Sequence, residues 1–268
     1  MKNTNSIREK NINDFSNQWL LQNDLKKGFW TDKKWLENIC EGVFELSIIK
    51  NKIICEVGSG SGRIVNMLKK YKPKQINCVE PSKNIEVLKK NIQNIPFAEV
   101  HNVMGHQYDL KNLDYVFSIG VIHHIVDPLS TVKNIYKSLK KNGEFVMWVY
   151  GYEGNEFYIF IYKFLSFFTT KINDNILEII SSFFNFLLIP YIYISRVSKY
   201  FPMHSYLKNV FSKCTLEHRK FIIFDQLNPS YSKYYKKDEC LNLLKSAGFK
   251  NIKIKRFNNY SWVLKGSK

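Results

Sequence analysis

The stretch ICEVGSGSGRI, Ile54 to Ile64, places three glycines at alternate positions behind an apolar run that contains an acid. A dinucleotide-binding loop has the spacing G-x-G-x-x-G, and its last glycine permits close packing of helix on strand. Counted from Gly58, that last position falls at Arg63. Glu56, beside the loop, would repel a pyrophosphate but would pair with an ammonium group. The loop therefore disfavours NAD.

Strand-like and helix-like segments alternate around this loop. The pattern predicts strands at Lys52–Val57, Gln75–Glu80, Ala98–Val103, Leu113–Ile119 and Glu144–Tyr150, and helices at Gly60–Tyr71, Ser82–Asn94 and Pro128–Lys141. This alternation predicts an α/β fold with a Rossmann-like, doubly wound, mainly parallel sheet. In such sheets ligands bind beyond the carboxyl ends of the strands. Glu80 ends the second predicted strand, at a distance suited to two ribose hydroxyls, so we expect an adenosine-like ligand joined to a cationic group.

The net charge of +17 would ordinarily suggest a nucleic-acid partner. However, only five of the forty basic residues are arginine, which is the side chain preferred for bidentate contacts with phosphates and guanines. An AT-rich codon usage would produce the same excess of lysine, asparagine and isoleucine. Composition therefore predicts that nucleic acid is not the partner.

The cysteines and the N-terminal residues indicate a cellular location. The polar start, MKNTNSIREKNINDF, has no apolar run of the kind found in secretory signals. The cysteines are odd in number, widely spaced and without a CxxC pair: Cys40, Cys55, Cys78, Cys214 and Cys240. We expect a reducing cytoplasm, and no metal site.

Together these motifs resemble those of the class I S-adenosylmethionine-dependent methyltransferases. EVGSGSG (56–62) is similar to their glycine-rich first motif, VEPS (79–82) to the ribose-binding acid, and LDYVFSIGVIHHIVDP (113–128) to the fourth strand and the segment after it. AGFKNIKIKRF (247–257) is similar to the last helix and the start of a closing hairpin. The resemblance implies a seven-stranded sheet and S-adenosylmethionine as cofactor.

The cofactor-binding residues expected on this basis are Trp19, Glu56, Gly58, Ser59, Gly60, Gly62, Arg63, Glu80, Pro81, Ser82, His106, Gln107, Ser118, Ile119, Gly120 and His123. His106 stands where the family commonly carries an aspartate for the adenine amino group, so Gln107 or a main-chain group would replace it. Trp19 belongs to an N-terminal cap, residues 1–49, predicted to fold over the cofactor as amphipathic helices.

Methyl transfer to a hydroxyl requires orientation and removal of a proton. His123 and His124 follow the fourth predicted strand and are the candidate bases, with Tyr150 as a further catalytic candidate. Each histidine can alternatively pack on the cofactor or cap the next helix. Because the two are adjacent, only one is expected to face the acceptor.

A second resemblance concerns the acceptor. WVYGYEGNEFYIF (148–160) and FDQLNPSYSKYY (224–235) are similar to stretches in methyltransferases of bacterial surface-polysaccharide synthesis, with Tyr152 in place of a common arginine. This resemblance implies a small, sugar-like acceptor such as a sugar nucleotide for a capsule, contacted by Tyr152, Glu153, Asn155 and Tyr235. The alternatives are a prenyl or quinone-type lipid at the membrane and a non-catalytic, cofactor-binding subunit.

The aromatic-rich segment Phe157 to Phe211 has two interpretations. The chain is expected to divide into the cap, a cofactor domain at 50–150 and 221–268, and an inserted helical lid at 151–220. A lid would exclude water from the site and leave the protein soluble and unbound to anionic vesicles. Alternatively, with Lys163, Lys171, Arg196 and Lys199 nearby, the segment would rest on the inner membrane face.

Overall fold

The computed structural model of the protein describes residues 2–21, 32–195, 197 and 200–268. Within them the strands are β1 (Ile53–Val57), β2 (Gln75–Val79), β3 (Ala98–His101), β4 (Leu113–Ile119), β5 (Leu139–Tyr150), β6 (Lys250–Phe257) and β7 (Ser261–Ser267). The α-helices are α1 (Lys2–Leu21), α2 (Lys33–Cys40), α3 (Arg63–Leu68), α4 (Ile85–Ile92), α5 (Pro128–Ser138), α6 (Glu156–Thr169), α7 (Asp174–Ser195), α8 (His204–Asn209), α9 (Leu216–Leu227) and α10 (Lys237–Ala247). Residues 22–31 of the predicted cap, and Arg196 and Lys199, lie outside the described residues.

The strands form one seven-stranded sheet in the order β3-β2-β1-β4-β5-β7-β6. Strands β1 to β5 pair in parallel, whereas β7 pairs antiparallel with both β5 and β6. The predicted doubly wound, mainly parallel α/β sheet with a closing hairpin is confirmed. The strand order reverses between β1 and β4, so the loops that follow these two strands flank a crevice at the sheet edge.

The sheet is buried on both faces, which explains the continuous apolar runs of its strands. Ile54 of β1 joins a cluster with α2 and α3, including Trp35 and Leu68. Its neighbour Cys55 points to the opposite face and joins a cluster with α5 and α10, including Ile135 and Leu244. Alternate strand residues therefore hold the two helical layers, and the sheet between them is a rigid base for the loops.

The boundary between α5 and β5 differs from the prediction. The helix was expected to continue to Lys141 before Asn142-Gly143, but it ends at Ser138, and buried Leu139 already lies in β5 opposite Leu113. Asn142 adopts a φ of 64°, which asparagine tolerates, beside an irregularity in the pairing of β4 and β5. The Asn-Gly pair thus lies in an irregular part of the strand and not at a helix end.

The helices inserted after β5 have an apolar core of their own. Leu177 and Ile192 of α7 cluster with Leu207 of α8 and with Phe224 and Leu227 of α9. The insertion therefore extends to the end of α9, beyond the predicted boundary at residue 220. The segment 151–220 remains a proposed lid.

Helix α1 connects the insertion to the sheet. Asn11 donates to the main-chain oxygen of His124 at 2.8 Å, after β4. Asn228, at the end of α9, donates to the main-chain oxygen of Asp14 at 3.0 Å. The N-terminal helix thus lies across the crevice at the switch in strand order.

Candidate active site

The glycine loop after β1 folds as the first motif requires. Gly58 and Gly60 have φ values of 84° and 51°, a region that side chains with a Cβ rarely adopt. A Cβ at Gly60 would lie 2.8 Å from the indole of Trp19. The loop therefore needs glycine for both conformation and space, and the Trp19 ring of α1 covers it.

A cavity of about 720 Å³ opens beside this loop. Its walls come from the ends of β1, β2 and β4, from α1, and from the inserted helices α6, α7 and α9. Aromatic side chains from α1, from the end of β5, from the insertion and from later loops line it: Phe15, Trp19, Trp148, Tyr150, Phe157, Tyr158, Phe184, Tyr191, Tyr206, Phe211, Phe221, Tyr234 and Tyr260. The volume lies within the roughly 300–1,000 Å³ typical of small-molecule sites.

Glu80, at the end of β2, is a buried carboxylate in the cavity wall. One oxygen accepts from the main-chain N–H of Gly60 at 2.7 Å, and the other accepts from that of Ser82 at 3.0 Å. Burial raises the pKa of Glu80 to about 7, although these two N–H groups oppose the rise. Because each carboxylate oxygen can accept more than one hydrogen bond, Glu80 can also hold ligand hydroxyls.

Glu56 lies on the other side of the glycine loop and is 1% exposed. Its Oε2 has no hydrogen-bond donor among the described residues. Burial raises the pKa of Glu56 well above its usual range, while the Arg63 guanidinium opposes this shift. Burial also lowers the pKa of Arg63 to about 10, which leaves the guanidinium charged at neutral pH. The unsatisfied carboxyl oxygen fits a ligand that carries an ammonium group, because a cation beside Glu56 would favour the ionised carboxylate and offset the effect of burial.

His124 lines the cavity, whereas His123 does not. The Nδ1 of His124 lies 3.1 Å from the main-chain oxygen of Tyr231. Because a carbonyl can only accept, Nδ1 carries the proton and Nε2 is the unprotonated nitrogen. Burial lowers the pKa of His124 to about 4, so the imidazole is neutral at physiological pH.

His123 is fully buried and stacks against Tyr150, with ring centroids 3.8 Å apart. Neither of its ring nitrogens has a hydrogen-bond partner among the described residues. Its position behind Tyr150 explains why it is absent from the cavity wall. The structure therefore places His123 outside the site in which the sequence placed it, both as base and as cofactor contact.

Tyr150 belongs to a polar cluster at the end of the cavity formed by the insertion. Gln226 donates to the Tyr150 hydroxyl at 2.6 Å and accepts from Tyr158 at 2.8 Å. Next to it, Asp225 accepts from Gln18 of α1. Burial raises the pKa of Asp225 to about 6, although Gln18 and Arg63 oppose the rise. Sequence reasoning missed Asp225 and Gln226, although both belong to the FDQL stretch that it singled out.

The predicted cofactor residues divide into two groups. Those that line the cavity are Trp19, Glu56, Gly58, Ser59, Gly60, Arg63, Glu80, Pro81, Ile119 and Gly120. Those that do not are Gly62, Ser82, His106, Gln107, Ser118 and His123. Ser118 is buried in β4 and donates to the main-chain oxygen of Val57. Gly62 packs against Leu88 of α4. Gly105 lines the cavity next to the position predicted for His106.

Of the predicted substrate residues only Asn155 lines the cavity; Tyr152, Glu153 and Tyr235 lie outside it. Glu153 accepts from the main-chain N–H of Lys237 at 2.8 Å and from the Trp262 indole at 3.1 Å. The main-chain N–H of Tyr152 donates to the oxygen of Tyr235, which continues the edge of β5. These three residues hold the chain where it turns at the end of the sheet. They have this structural role in place of the predicted contact with substrate.

No group of three or more metal-binding side chains occurs among the residues that the structure describes. All five cysteines are free and buried. Among the residues that the structure describes, the cavity wall offers carboxyl groups, the imidazole of His124, the guanidinium of Arg63 and aromatic rings.

Residues 55–145 match a family model described as a methyltransferase domain. The tRNA U34 carboxymethyltransferase of Sulfurimonas denitrificans is 24% identical over 134 residues, which cover 48% of this chain and 45% of that protein. The enzyme of the same name from Helicobacter pylori strain P12 is 28% identical over 127 residues, covering 43% and 48%. The chain thus spans about half the length of the curated relatives that it matches.

The fold is also found in solved structures. A SAM-dependent methyltransferase from Aquifex aeolicus superimposes with a TM-score of 0.52 at 11% identity, covering 94% of this chain and 97% of that one. At this identity the likeness concerns the fold alone.

Proposed function

We propose that this chain, which carries a class I S-adenosylmethionine-dependent methyltransferase domain, transfers a methyl group to a base of an RNA. The domain assignment agrees with the glycine loop, with Glu80 at the end of β2 and with the sheet order. S-adenosylmethionine supplies a methyl group that its sulfonium has already activated. The protein has to bind the cofactor, orient the acceptor and remove a proton where the acceptor requires it.

The residues around the glycine loop suit the cofactor. We propose that Glu80 accepts from the ribose hydroxyls and that the unsatisfied oxygen of Glu56 accepts from the ammonium group. The Trp19 ring lies 2.8 Å from the position that a Cβ would have at Gly60. It would pack on the bound cofactor and hold it against the glycine loop. Arg63 supplies a guanidinium to the cavity wall, which would pair with the cofactor carboxylate.

The expectation of a sugar-like acceptor, with its polysaccharide and capsule role, is wrong, and so is the exclusion of nucleic acid. The observation that overturns both, and that carries the proposed acceptor class, is that the curated relatives are tRNA U34 carboxymethyltransferases. The scarcity of arginine was a poor criterion, because lysine also neutralises phosphates. The sugar prediction depended on the short stretches around residues 150 and 226. These stretches contribute to the cavity wall, and that contribution alone does not determine the class of acceptor.

The cavity and the charge support an RNA base as acceptor. Enzymes that modify a base draw it out of the stack into a pocket and hold it between aromatic side chains. Tyr150 and Tyr234 stack 5.4 Å apart at one wall of this cavity, and Tyr158 lies next to them. The net charge of +17 attracts the phosphates of an RNA.

We propose that the transferred group is methyl, although the relatives' names specify carboxymethyl. Among the described residues, the cavity wall already carries three carboxyl groups, of Glu56, Glu80 and Asp225, against the guanidinium of Arg63. A donor with a further carboxylate would add negative charge to this wall, at a cost that rises as water is excluded.

His124 is the proposed base. Its Nδ1–H is fixed on the oxygen of Tyr231, so Nε2 is free to accept a proton from the acceptor. Tyr150, held by Gln226, would orient the acceptor through its hydroxyl.

The function is tested by binding and by transfer. In calorimetry the protein should bind S-adenosylmethionine and S-adenosylhomocysteine but not NAD, because of the glycine spacing. With a methyl-labelled cofactor, label should enter tRNA and not sugar nucleotides. Binding of NAD, or label in the sugar nucleotides, would contradict the proposal.

The pH dependence of cofactor binding follows from Glu80. Its pKa of about 7 in the folded protein means that the carboxyl gains a proton as the pH falls from 8 to 6. A protonated carboxyl accepts the ribose hydroxyls less well, so affinity should fall by up to about tenfold per pH unit below 7. Asp225 titrates near pH 6, so Glu80→Gln is the matched control. Calorimetry should show that cofactor affinity depends less on pH in this variant than in wild type. If the two proteins show the same pH dependence, Glu80 does not bind the cofactor.

The protein is proposed to work in the cytoplasm, in agreement with its five free thiols and with relatives that modify tRNA. Within the cytoplasm we propose a peripheral position at the inner membrane face. Helix α7 is long and apolar enough to cross a membrane, but it packs on α9 and α8 inside the insertion. A helix held in this way would lie on the surface and would not span the bilayer.

The outward face of α6 and α7 supports the membrane interpretation over a lid alone. Phe160 is 74% exposed, Ile179 70% and Phe186 70%. Further exposed apolar side chains of these two helices are Phe164, Phe167, Phe168, Ile176, Phe183, Tyr193 and Ile194. A patch of this size is rare on soluble monomers. Lys163 and Lys171 accompany it and would meet anionic headgroups.

Vesicle sedimentation tests the membrane position. The protein should pellet with phosphatidylglycerol vesicles at physiological salt, and Phe160→Glu with Phe186→Glu should weaken this by roughly tenfold or more per side chain. Ile48→Glu, which changes an exposed apolar residue outside the insertion, is the control. If the wild-type protein stays in the supernatant, the proposed membrane position is wrong and the insertion is a lid alone.

A further inference from the structure

A second cavity lies on the outside of the sheet, between α2, α8 and the edge strand β6. Its volume is about 370 Å³. The residues that line it are Trp35, Asn38, Glu41, Asn209, Val210, Lys213, Lys255, Arg256, Phe257 and Asn258. We call it the basic cleft, because it carries three cationic side chains and three amides against one carboxylate.

The cationic groups of the basic cleft are held in place. Lys255 donates to the main-chain oxygen of Glu41, and its Nζ lies 6.0 Å from the ring centre of Phe257. The carboxylate of Glu41 is 4.0 Å from this Nζ and 81% exposed, so it neutralises the lysine only weakly. Arg256 donates to the main-chain oxygens of Glu153 and Asn259. The carboxylate of Glu153 also interacts with Arg256 and offsets part of its charge. Among the described residues that line the cleft, cationic side chains still outnumber carboxylates by three to one.

The basic cleft and the main cavity share a wall. Arg63, in the main cavity, lies 4.5 Å above the ring of Trp35, which lines the cleft. On the same wall Val210 faces the cleft and its neighbour Phe211 faces the cavity. A ligand in the cleft is therefore separated from the cofactor site by one layer of side chains.

We infer that the basic cleft binds backbone phosphates of the RNA whose base enters the main cavity. This inference rests on the proposed function. Ammonium and amide N–H groups are the donors that phosphate oxygens accept from, and Lys213, Lys255, Asn38, Asn209 and Asn258 supply them. In a complex with RNA, the backbone phosphates lie on either side of the nucleotide whose base is flipped into the main cavity. The basic cleft is close enough to bind them, because one layer of side chains separates it from that cavity.

The position on an edge strand offers a different explanation of the lysines. Edge strands commonly carry lysine, which prevents pairing with another sheet. That role requires charge on β6 alone and predicts nothing about Lys213, which lies after α8 on a different segment. The convergence of lysines from two segments with three asparagines points to a ligand.

The experiment measures tRNA binding by fluorescence anisotropy at several KCl concentrations. Each phosphate contact contributes about 0.7 to 0.9 to the slope of log K against log salt. The double variant Lys213→Gln, Lys255→Gln should therefore bind more weakly, with a slope shallower by about 1.5. The control is Lys70→Gln, Lys90→Gln, which removes two exposed lysines near the opposite edge of the sheet.

The outcomes separate this inference from the proposed function. If wild type binds tRNA and the control variant loses as much of the slope as the cleft variant, the cleft has no special role. If the cleft variant keeps the wild-type slope, the inference is wrong while the RNA acceptor stands. If wild type does not bind tRNA, the proposed function itself fails. Cofactor affinity in calorimetry should equal that of wild type in both variants, which excludes misfolding.

Discussion

Replacing His124 with asparagine is expected to lower kcat by about 10²- to 10⁴-fold, the usual contribution of a positioned base. Asparagine can keep the hydrogen bond to the oxygen of Tyr231 but cannot take up a proton. Affinity for S-adenosylmethionine should change little, because His124 is proposed to act on the acceptor and not to hold the cofactor. Steady-state kinetics with tRNA and calorimetry with the cofactor measure the two effects separately.

The adjacent His123 provides the matched control. It is fully buried and packs against Tyr150, so His123→Asn should lower the free energy of unfolding. Its kcat should change much less than that of the His124 variant. Near-normal turnover in both variants would show that proton removal lies elsewhere. Asp225, whose pKa of about 6 suits a base, would then be the next candidate, since Glu153 is held outside the cavity.

Replacing Glu80 with alanine is expected to weaken cofactor binding by about 1.5–3 kcal/mol, the range for hydrogen bonds to a charged group. This corresponds to roughly a 10- to 150-fold rise in Kd. Because Glu80 also accepts from Gly60 and Ser82, its loss frees the glycine loop as well as the ribose contact.

The control for Glu80 is Glu86→Ala. Glu86 lies on the exposed side of α4, where it pairs with Lys89. Its removal leaves the electrostatic surroundings of the cavity nearly unchanged because exposed ion pairs contribute little. Unchanged affinity in Glu80→Ala, measured by calorimetry, would refute the ribose role of this residue.

The sheet was predictable because short-range signals determine it. Apolar runs that are buried on both faces identify β1, β2 and β4, and the glycine loop marks the turn from β1 into α3. The same loop places Glu56, Gly58 and Gly60 in the cavity wall. These residues are close in sequence and therefore close in space.

The remaining part of the site depends on contacts between distant segments. The partner of Asp225 is Gln18, and Tyr150 is held by Gln226, which no local pattern reveals. The difference between His123 and His124 depends on whether a side chain points into the cavity or behind Tyr150. Adjacent residues of one type cannot be separated by sequence pattern alone.

The acceptor was mispredicted because its signals were indirect. Asn155 does reach the cavity, but Tyr152 and Glu153 hold the chain at the sheet edge. A motif can thus be similar between proteins because it builds the same turn, without a shared substrate. The basic cleft likewise combines Lys213 with Lys255, which lie on separate elements and meet only in the fold.

Nucleoside mass spectrometry tests whether this chain methylates an RNA base, as proposed. Unmodified tRNA is incubated with the protein and S-adenosylmethionine, digested to nucleosides and compared with the same reaction containing His124→Asn. We expect one nucleoside that is heavier by a methylene, formed by wild type and reduced by at least about 10²-fold in the variant. Unchanged nucleosides, together with S-adenosylhomocysteine released on a sugar or lipid acceptor, would contradict it.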